Sequence, residues 1–304
     1  MVRTHHHSIY QVPDVYNTIS EWPTITIETP WKNVAKTNFA EVSNAKIRED
    51  PGYPVSTFRD LVHIIAELSY YNPALNLYFR GQQKDITDSK SRSKLYPSIF
   101  RPASGQKILR KSRIKKRFQR LKQVLKELKN SASSLGLSGP LSKHPEYWLA
   151  LIQHYQLCKT PMLDISQSLQ VAASFALMDD NYDFSHSYGY LYVIALPHVY
   201  GSISKFADDD MVIARLKSIC PPDALRPHFQ EGLLAGRWPL TLSKEAGDNL
   251  AYRLVGKYIL LNESGDFFDT PFHPVPQEAL LPSDDPFGKK LTSFVNKLSG
   301  THVH

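Results

Sequence analysis

The run LNLYFRGQ, Leu75 to Gln82, decides how the rest of the chain is read. Leu75, Leu77 and Phe79 alternate with Asn76, Tyr78 and Arg80, the period-two pattern of a strand with one buried face and one face open to polar neighbours. Gly81 is expected to end the pattern, because glycine lets the backbone turn or a ligand come close. A guanidinium at the end of a sheet strand suits an anion-holding site. An ordinary salt-bridged strand end has the same spacing, and Gln82 fits either a ligand hydroxyl or the cap of a turn.

Working outward, TFRDLVHIIAELSYYN (57–72) places Leu61, Ile64, Ile65 and Leu68 on one helical face, with Thr57 or Ser56 as its cap. A polar loop, QQKDITDSKSRSK, leads from the strand into LYPSIFRP. EYWLALIQHYQL (146–157) is a helix with Pro145 in its first turn. KTPMLDISQ (159–167) is expected to be a short extended link, and SLQVAASFALM (168–178) a second helix capped by Ser166 or Ser168. YGYLYVIALP (188–197) is the clearest central strand. LRPHFQEGLLAG (225–236) and GKYILLNE (256–263) are expected as further strands, joined by a loop or a short helix. In the first fifty residues only PTITIET (23–29) alternates well enough for a strand, and this region is expected to wrap on the domain. Helices and strands alternate too irregularly for a doubly wound parallel sheet, so the expected class is α+β, a mixed, mostly antiparallel sheet flanked by helices. The expected boundaries are an arm at 1–55, a domain at 56–270 and a tail at 271–304.

The 304 residues are 42% hydrophobic and 21% charged, a globular composition. No apolar run reaches the roughly 18 residues that span a bilayer, and MVRTHHHSIYQVPD has no apolar signal-peptide core. Two cysteines, Cys158 and Cys220, are too few for a disulfide framework or a cysteine-rich zinc site. These features fit a cytoplasmic protein. No metal site is expected, since His5, His6 and His7 form a cluster near a terminus of the kind that takes up metal without functional meaning.

The formal charge of +7 is concentrated in one place. KILRKSRIKKRFQRLKQVLKELK (107–129) has eleven Lys or Arg and only Glu127 as an acid, so it carries +10 and the rest of the chain −3. Ile114, Phe118, Leu121, Leu125 and Leu128 recur at three- and four-residue spacing, which predicts an amphipathic helix over 107–130 with a cationic outer face. Such a face attracts nucleic acid, an acidic partner or anionic lipid, or simply solvates its charges.

YFRGQ, LYPSIFR, EYWLALIQHYQLCKTPMLDISQSLQVAASFAL and LRPHFQEGLL, in that order, resemble the blocks of the FRG domain, a family named after its Phe-Arg-Gly motif, here Phe79-Arg80-Gly81. The resemblance covers about residues 57–235. Met162-Leu163-Asp164-Ile165 departs from the family's leucine-leucine-aspartate-tryptophan run, Gln156 stands in place of a glycine, and the basic stretch has no counterpart in the pattern. A second resemblance is to the ADP-ribosyltransferases: an aromatic-Arg-Gly strand end, a serine-bearing link into an alanine-rich helix, and a late Gln or Glu. It implies a split sheet and a cleft for NAD or a related nucleotide. In that chemistry a cation anchors the pyrophosphate while a carboxylate stabilises the oxocarbenium-like sugar formed as the glycosidic bond breaks.

On this reading Arg80, with Gly81 and Gln82, would hold phosphate oxygens. Asp164 would orient Arg80 or hold its loop, and is a lesser candidate for a base. Ser166 and Ser168 sit where helix amides point outward, a place for an anion or for plain capping. His154 is a ligand contact or a satisfied structural histidine. Gln230 and Glu231, read as neighbours on one strand, face opposite sides, so one of them meets the ribose. If Gln230 points inward and Glu231 outward, the site lacks its carboxylate and binds a nucleotide rather than cleaving it. The enzyme readings are an ADP-ribosyltransferase or an NAD glycohydrolase. The rival is a module without catalysis that grips nucleic acid or an acidic protein through 107–129.

Overall fold

The alternation of Leu75–Gln82 becomes a strand that does not stop at its glycine. In the computed structural model it runs Asn76–Gln82, with Gly81 in mid-register opposite Leu191. The structure describes residues 9–10, 25–28, 39–42, 44–71, 75–102, 109–179, 181, 183–207, 209–237 and 250–300. In chain order the strands and α-helices are β1 (Ile9–Tyr10), β2 (Ile25–Glu28), β3 (Phe39–Val42), α1 (Asn44–Glu49), β4 (Tyr53–Val55), α2 (Phe58–Tyr71) and β5 (Asn76–Gln82). There follow α3 (Lys111–Asn130), α4 (Pro145–His154), β6 (Met162–Ser166), α5 (Leu169–Leu177), β7 (Tyr188–Leu196), β8 (Ile203–Phe206) and β9 (Met211–Arg215). Last come α6 (Leu216–Ile219), α7 (Arg226–Gln230), β10 (Gly232–Arg237), β11 (Leu254–Leu261), α8 (Gln277–Leu280) and α9 (Pro286–Gly300). Helices with mixed, mostly antiparallel strands make this an α+β fold. No helix among the described residues is long and apolar enough to cross a membrane.

The chain divides into two compact units, each assembled from three segments. The first comprises Met1–Leu95, Ile165–His198 and Asn249–Gln277. Its sheet order is β4-β11-β7-β5 and then the end of β6, with only β4 and β11 parallel. β7 is central, as its apolar run predicts, paired on both sides. β1, β2 and β3 form a separate antiparallel sheet, which places the expected PTITIET strand at Ile25–Glu28.

One face of the first unit's main sheet is apolar. Phe79, Leu191, Val193, Tyr258 and Leu260 pack against Phe58, Leu61, Ile64 and Leu68 of α2 and Ala172, Ala173 and Ala176 of α5. Burial of each large apolar side chain contributes about 1.5–3 kcal/mol. Thr57 caps α2 as predicted, its Oγ1 accepting from the Asp60 N–H at 3.1 Å. The alanines let α5 lie so close that a Cβ on Gly81 would stand 1.8 Å from the Ala172 carbonyl oxygen, and one on Gly189 2.2 Å from that of Ala176. The expectation that Gly81 ends the strand is therefore corrected: this glycine admits a helix backbone.

The second unit comprises Tyr96–Asp164, Val199–Asp248 and Glu278–His304. β10, β9 and β8 pair antiparallel. Val212, Ala214 and Leu234 from these strands share a core with Trp148, Leu149 and Ile152 of α4 and Phe118, Leu121 and Leu128 of α3. Pro145 opens α4 as predicted. KTPMLDISQ, read as a link, contains the strand β6 instead. Its apolar Met162, Leu163 and Ile165 are buried like those of any interior strand, in a run too short for periodicity to classify.

Candidate functional site

Arg80 and Gln82 share one face of β5, and the register extends that face across the sheet. Arg80 lies opposite Tyr192, which lies opposite Lys257; Gln82 lies opposite Tyr190. Paired residues of antiparallel strands point to the same side, so a guanidinium, an amide, two tyrosines and an ammonium stand together on the side away from α2 and α5. The half-buried Arg80 donates from Nε to Gln82 Oε1 at 3.0 Å, and the Tyr190 and Tyr192 rings stack with centroids 6.4 Å apart. Gln82 thus orients the arginine of its own motif.

The acid of this face is one the sequence reading missed. Asp85 accepts from Tyr192 OH at 2.8 Å, from Lys257 Nζ at 2.6 Å and from Ser93 Oγ at 2.8 Å. Lys257 Nζ also donates to the Asp50 carbonyl at 2.6 Å. Burial, followed by the adjacent Asp85 carboxylate, pushes the Tyr192 phenol far up, so it stays a donor. The signal in the sequence was the lone lysine inside GKYILLNE, since a charge in an apolar strand needs a buried partner. Nothing in the sequence marked Asp85 as that partner.

Ser166 and Ser168 belong to the start of α5. The Ser168 N–H donates to Ser166 Oγ at 3.0 Å, and Ser168 Oγ accepts from the Val171 N–H at 3.3 Å, making Ser168 the N-cap. Ser166 is the register partner of Phe79, on the helix-covered side of the sheet and opposite to Arg80. The register thus sets Ser166 apart from the arginine it was expected to join.

In the second unit, Asp164 accepts from Gln153 Nε2 at 2.6 Å, while Gln153 Oε1 accepts from Thr160 Oγ1 at 2.5 Å and Ser98 Oγ at 3.3 Å. Ser98 Oγ in turn accepts from the Thr160 N–H at 3.1 Å. This network ties the YPSIFR, IQHY and TPMLD stretches together through Gln153, which sequence reasoning passed over because glutamine on a helix carries no marked chemistry. His154 is 2% exposed, and its Nε2 makes no hydrogen bond. Burial, with the Arg226 guanidinium as a second cause, holds its imidazole well below the ordinary 6.5. It is a neutral core histidine packed edge-on against Tyr155.

Gln230 and Glu231 are not strand neighbours. Gln230 ends α7 and Glu231 caps it at φ 45° and ψ 41°, before β10 begins at Gly232. Pro227 in the first turn was the helix signal that the strand reading overlooked. Gln230 is buried and donates from Nε2 to the Leu280 carbonyl at 2.5 Å. Glu231 is exposed. The two side chains are separated by a helix cap and not by strand alternation.

A further hollow of about 670 Å³ is lined by Tyr155, Arg226, Asp285, Gly288, Lys289 and Thr292 among others. None of its lining residues was a sequence candidate. Asp285 accepts from Tyr155 OH, the Arg226 N–H and the Gly288 N–H at 3.0, 3.3 and 2.9 Å, so its carboxylate serves to cap α9. Among the described residues no group of three metal-capable side chains converges. His5, His6 and His7 lie outside those residues.

No curated protein and no solved structure gives a match to this chain. A family model does, over residues 75–184, from just before β5 to past the end of α5. The matched stretch contains Arg80, Gly81, Gln82, Gln153, His154, Asp164, Ser166 and Ser168, and stops short of α7 and its cap. That model is of the FRG domain, and the stretch it matches runs from Phe79-Arg80-Gly81 through α4 and β6 to α5.

Proposed function

We propose that the FRG domain of this chain binds NAD or a related nucleotide, with Arg80 taking phosphate oxygens and Tyr190 offering a ring to the base or sugar. The observation that carries this reading is the Arg80–Gln82 pair set beside stacked tyrosines on one sheet face. A planar guanidinium already oriented by an amide loses little freedom on gripping phosphate in a bidentate fork. Tyr190 is half-buried.

The reading is binding without cleavage. Glycosidic scission needs a carboxylate left ionised and aimed at the sugar. Asp85, the acid on this face, is neutralised by Lys257, Gln230 is engaged with a backbone carbonyl, and Glu231 stands exposed on a helix cap.

Titration calorimetry with NAD tests it. The parent protein is expected to bind, and Arg80→Ala to weaken binding by about 10- to 100-fold, the loss of one or two charge-assisted hydrogen bonds. Nicotinamide is expected to stay below detection in the same mixtures. No heat at millimolar NAD, or equal affinity in Arg80→Ala, would remove the proposal. Nicotinamide release that Glu231→Gln abolishes would replace it with the enzyme reading.

A further inference from the structure

The proposed nucleotide site invokes no residue of the basic stretch, to which the structure gives a definite shape. α3 is 20 residues long, so about 30 Å from end to end. Phe118, Leu121, Val124, Leu125 and Leu128 are buried on its inner side. Lys111, Lys115, Lys122, Lys126 and Lys129 are all exposed. At ~100° per residue these five fall within an arc of about 60°, forming a single stripe some 27 Å long. The helix has nine basic side chains against one acidic, a net +8, and the acid, Glu127, is only half-exposed.

Two further features make the stripe unusual for a merely solvated helix face. Its first turn contains no acid and begins with Lys111 and Arg113, while Arg110 provides no side-chain cap. Cations at that end oppose the helix dipole, at a cost of about 0.3–1 kcal/mol. Nearby cations also crowd one another. Arg117 has its protonated form disfavoured by burial and then by Arg113, and the exposed Lys159 by burial, then by Arg117 and Arg101. An anion laid at the start of the stripe would relieve the first effect; Arg117 lies on another side of α3 and donates to the Ile99 and Arg101 carbonyls.

We propose that the exposed lysine stripe of α3 binds the phosphate backbone of a nucleic-acid duplex without reading its sequence. The partner follows from what the stripe lacks as much as from what it has. The apolar face of α3 is buried in the protein's own core and is not available to sink into a lipid surface. Phe118, the one aromatic side chain of the helix, is 4% exposed, leaving no platform on which single-stranded bases could stack. A protein partner needs buried anchors at the centre of the contact, whereas the stripe presents ammonium groups on flexible stems. Phosphates spaced along a duplex need only charge in a line.

Fluorescence anisotropy with the full chain and a labelled 24-base-pair duplex, made once as DNA and once as RNA, tests this. Between 50 and 200 mM KCl four or five phosphate contacts predict a slope of log affinity against log salt near −4, a fall of roughly two orders of magnitude. Lys122→Gln with Lys126→Gln should reduce the slope by about 2. The corresponding Lys→Arg pair should leave it unchanged, with both variants keeping the parent's urea midpoint. Comparable slopes with DNA and RNA, or binding confined to one of them, both support the proposal and identify the duplex. The proposal is overturned by no duplex binding at 50 mM salt, or by a slope indifferent to the Gln pair. Tighter binding to the single strand, or capture by phosphatidylserine vesicles in place of duplex, overturns it as well.

Discussion

Lys257 in the first unit and Lys122 in the second occupy elements that each bury one face, yet the two handle a positive charge in opposite ways. The Lys257 side chain is 3% exposed and held by a carboxylate and a carbonyl, both at 2.6 Å. Lys122 lies on the outer stripe of α3 in water. A lysine buried in a strand has no solvent and must bring its partner into the fold; a docked helix leaves its outer side to solvent and accumulates unlike numbers of charges. The first arrangement constrains structure, and the second leaves a field for a partner outside the chain.

The largest effect should come where backbone meets backbone. Gly81→Ala places a methyl 1.8 Å from the Ala172 carbonyl oxygen, which cannot rotate aside. A loss of about 5 kcal/mol is expected, enough to leave little folded protein in a urea titration. A midpoint within error of the parent would show that α5 yields freely and that the glycine has another purpose.

Next comes the lysine comparison itself. Lys257→Met strands Asp85 as a buried, uncompensated charge and should cost about 3–5 kcal/mol, whereas Lys122→Met should move stability by less than about 0.5 kcal/mol. Equal effects at the two positions would erase the distinction between the surfaces. Replacing Lys257 and Asp85 together by Met and Leu is expected to recover much of the loss, because no lone charge then remains.

A smaller, pH-dependent effect concerns His154. Its folded-state affinity for a proton is depressed, so below about pH 6.5 the unfolded chain takes up a proton that the folded protein does not. Stability should therefore fall as pH drops through that range, by up to about 1.4 kcal/mol per unit from this residue. His154→Phe keeps an aromatic ring and should flatten that component of the decline. Guanidinium midpoints at pH 7.5 and 5.5 measure it, and an identical decline in the variant would assign the pH dependence elsewhere.

Much of the fold was legible because it follows from periodicity. α2, α4, α5 and β7 arise where the apolar spacing, Thr57, Pro145 and Ser168 place them. The misreadings share a cause. Gly81, Gln230 and Glu231 are residues whose meaning depends on what lies across from them, and glycine fits a turn and a close helix approach equally well. KTPMLDISQ is too short to announce a strand. Of the candidate site, the pairing of Arg80 with Gln82 follows from their i, i+2 spacing on a strand. Asp85 meets Tyr192 and Lys257 across 107 and 172 residues, and Gln153 meets Ser98 across 55, a range at which no local pattern speaks.

Local pattern alone determined that this chain would combine helices and antiparallel strands, that Arg80 would stand on the strand face away from the apolar core, and that one helix would hold nearly all the excess positive charge. Spacing along the chain is sufficient for these, since they express the geometry of single elements. Only the tertiary structure decided that Gly81 serves helix packing, that Lys257 silences Asp85, and that Glu231 is turned outward on a cap. Those outcomes depend on which distant segments meet, and a buried charge or a missing Cβ acquires its role only from the atoms that surround it.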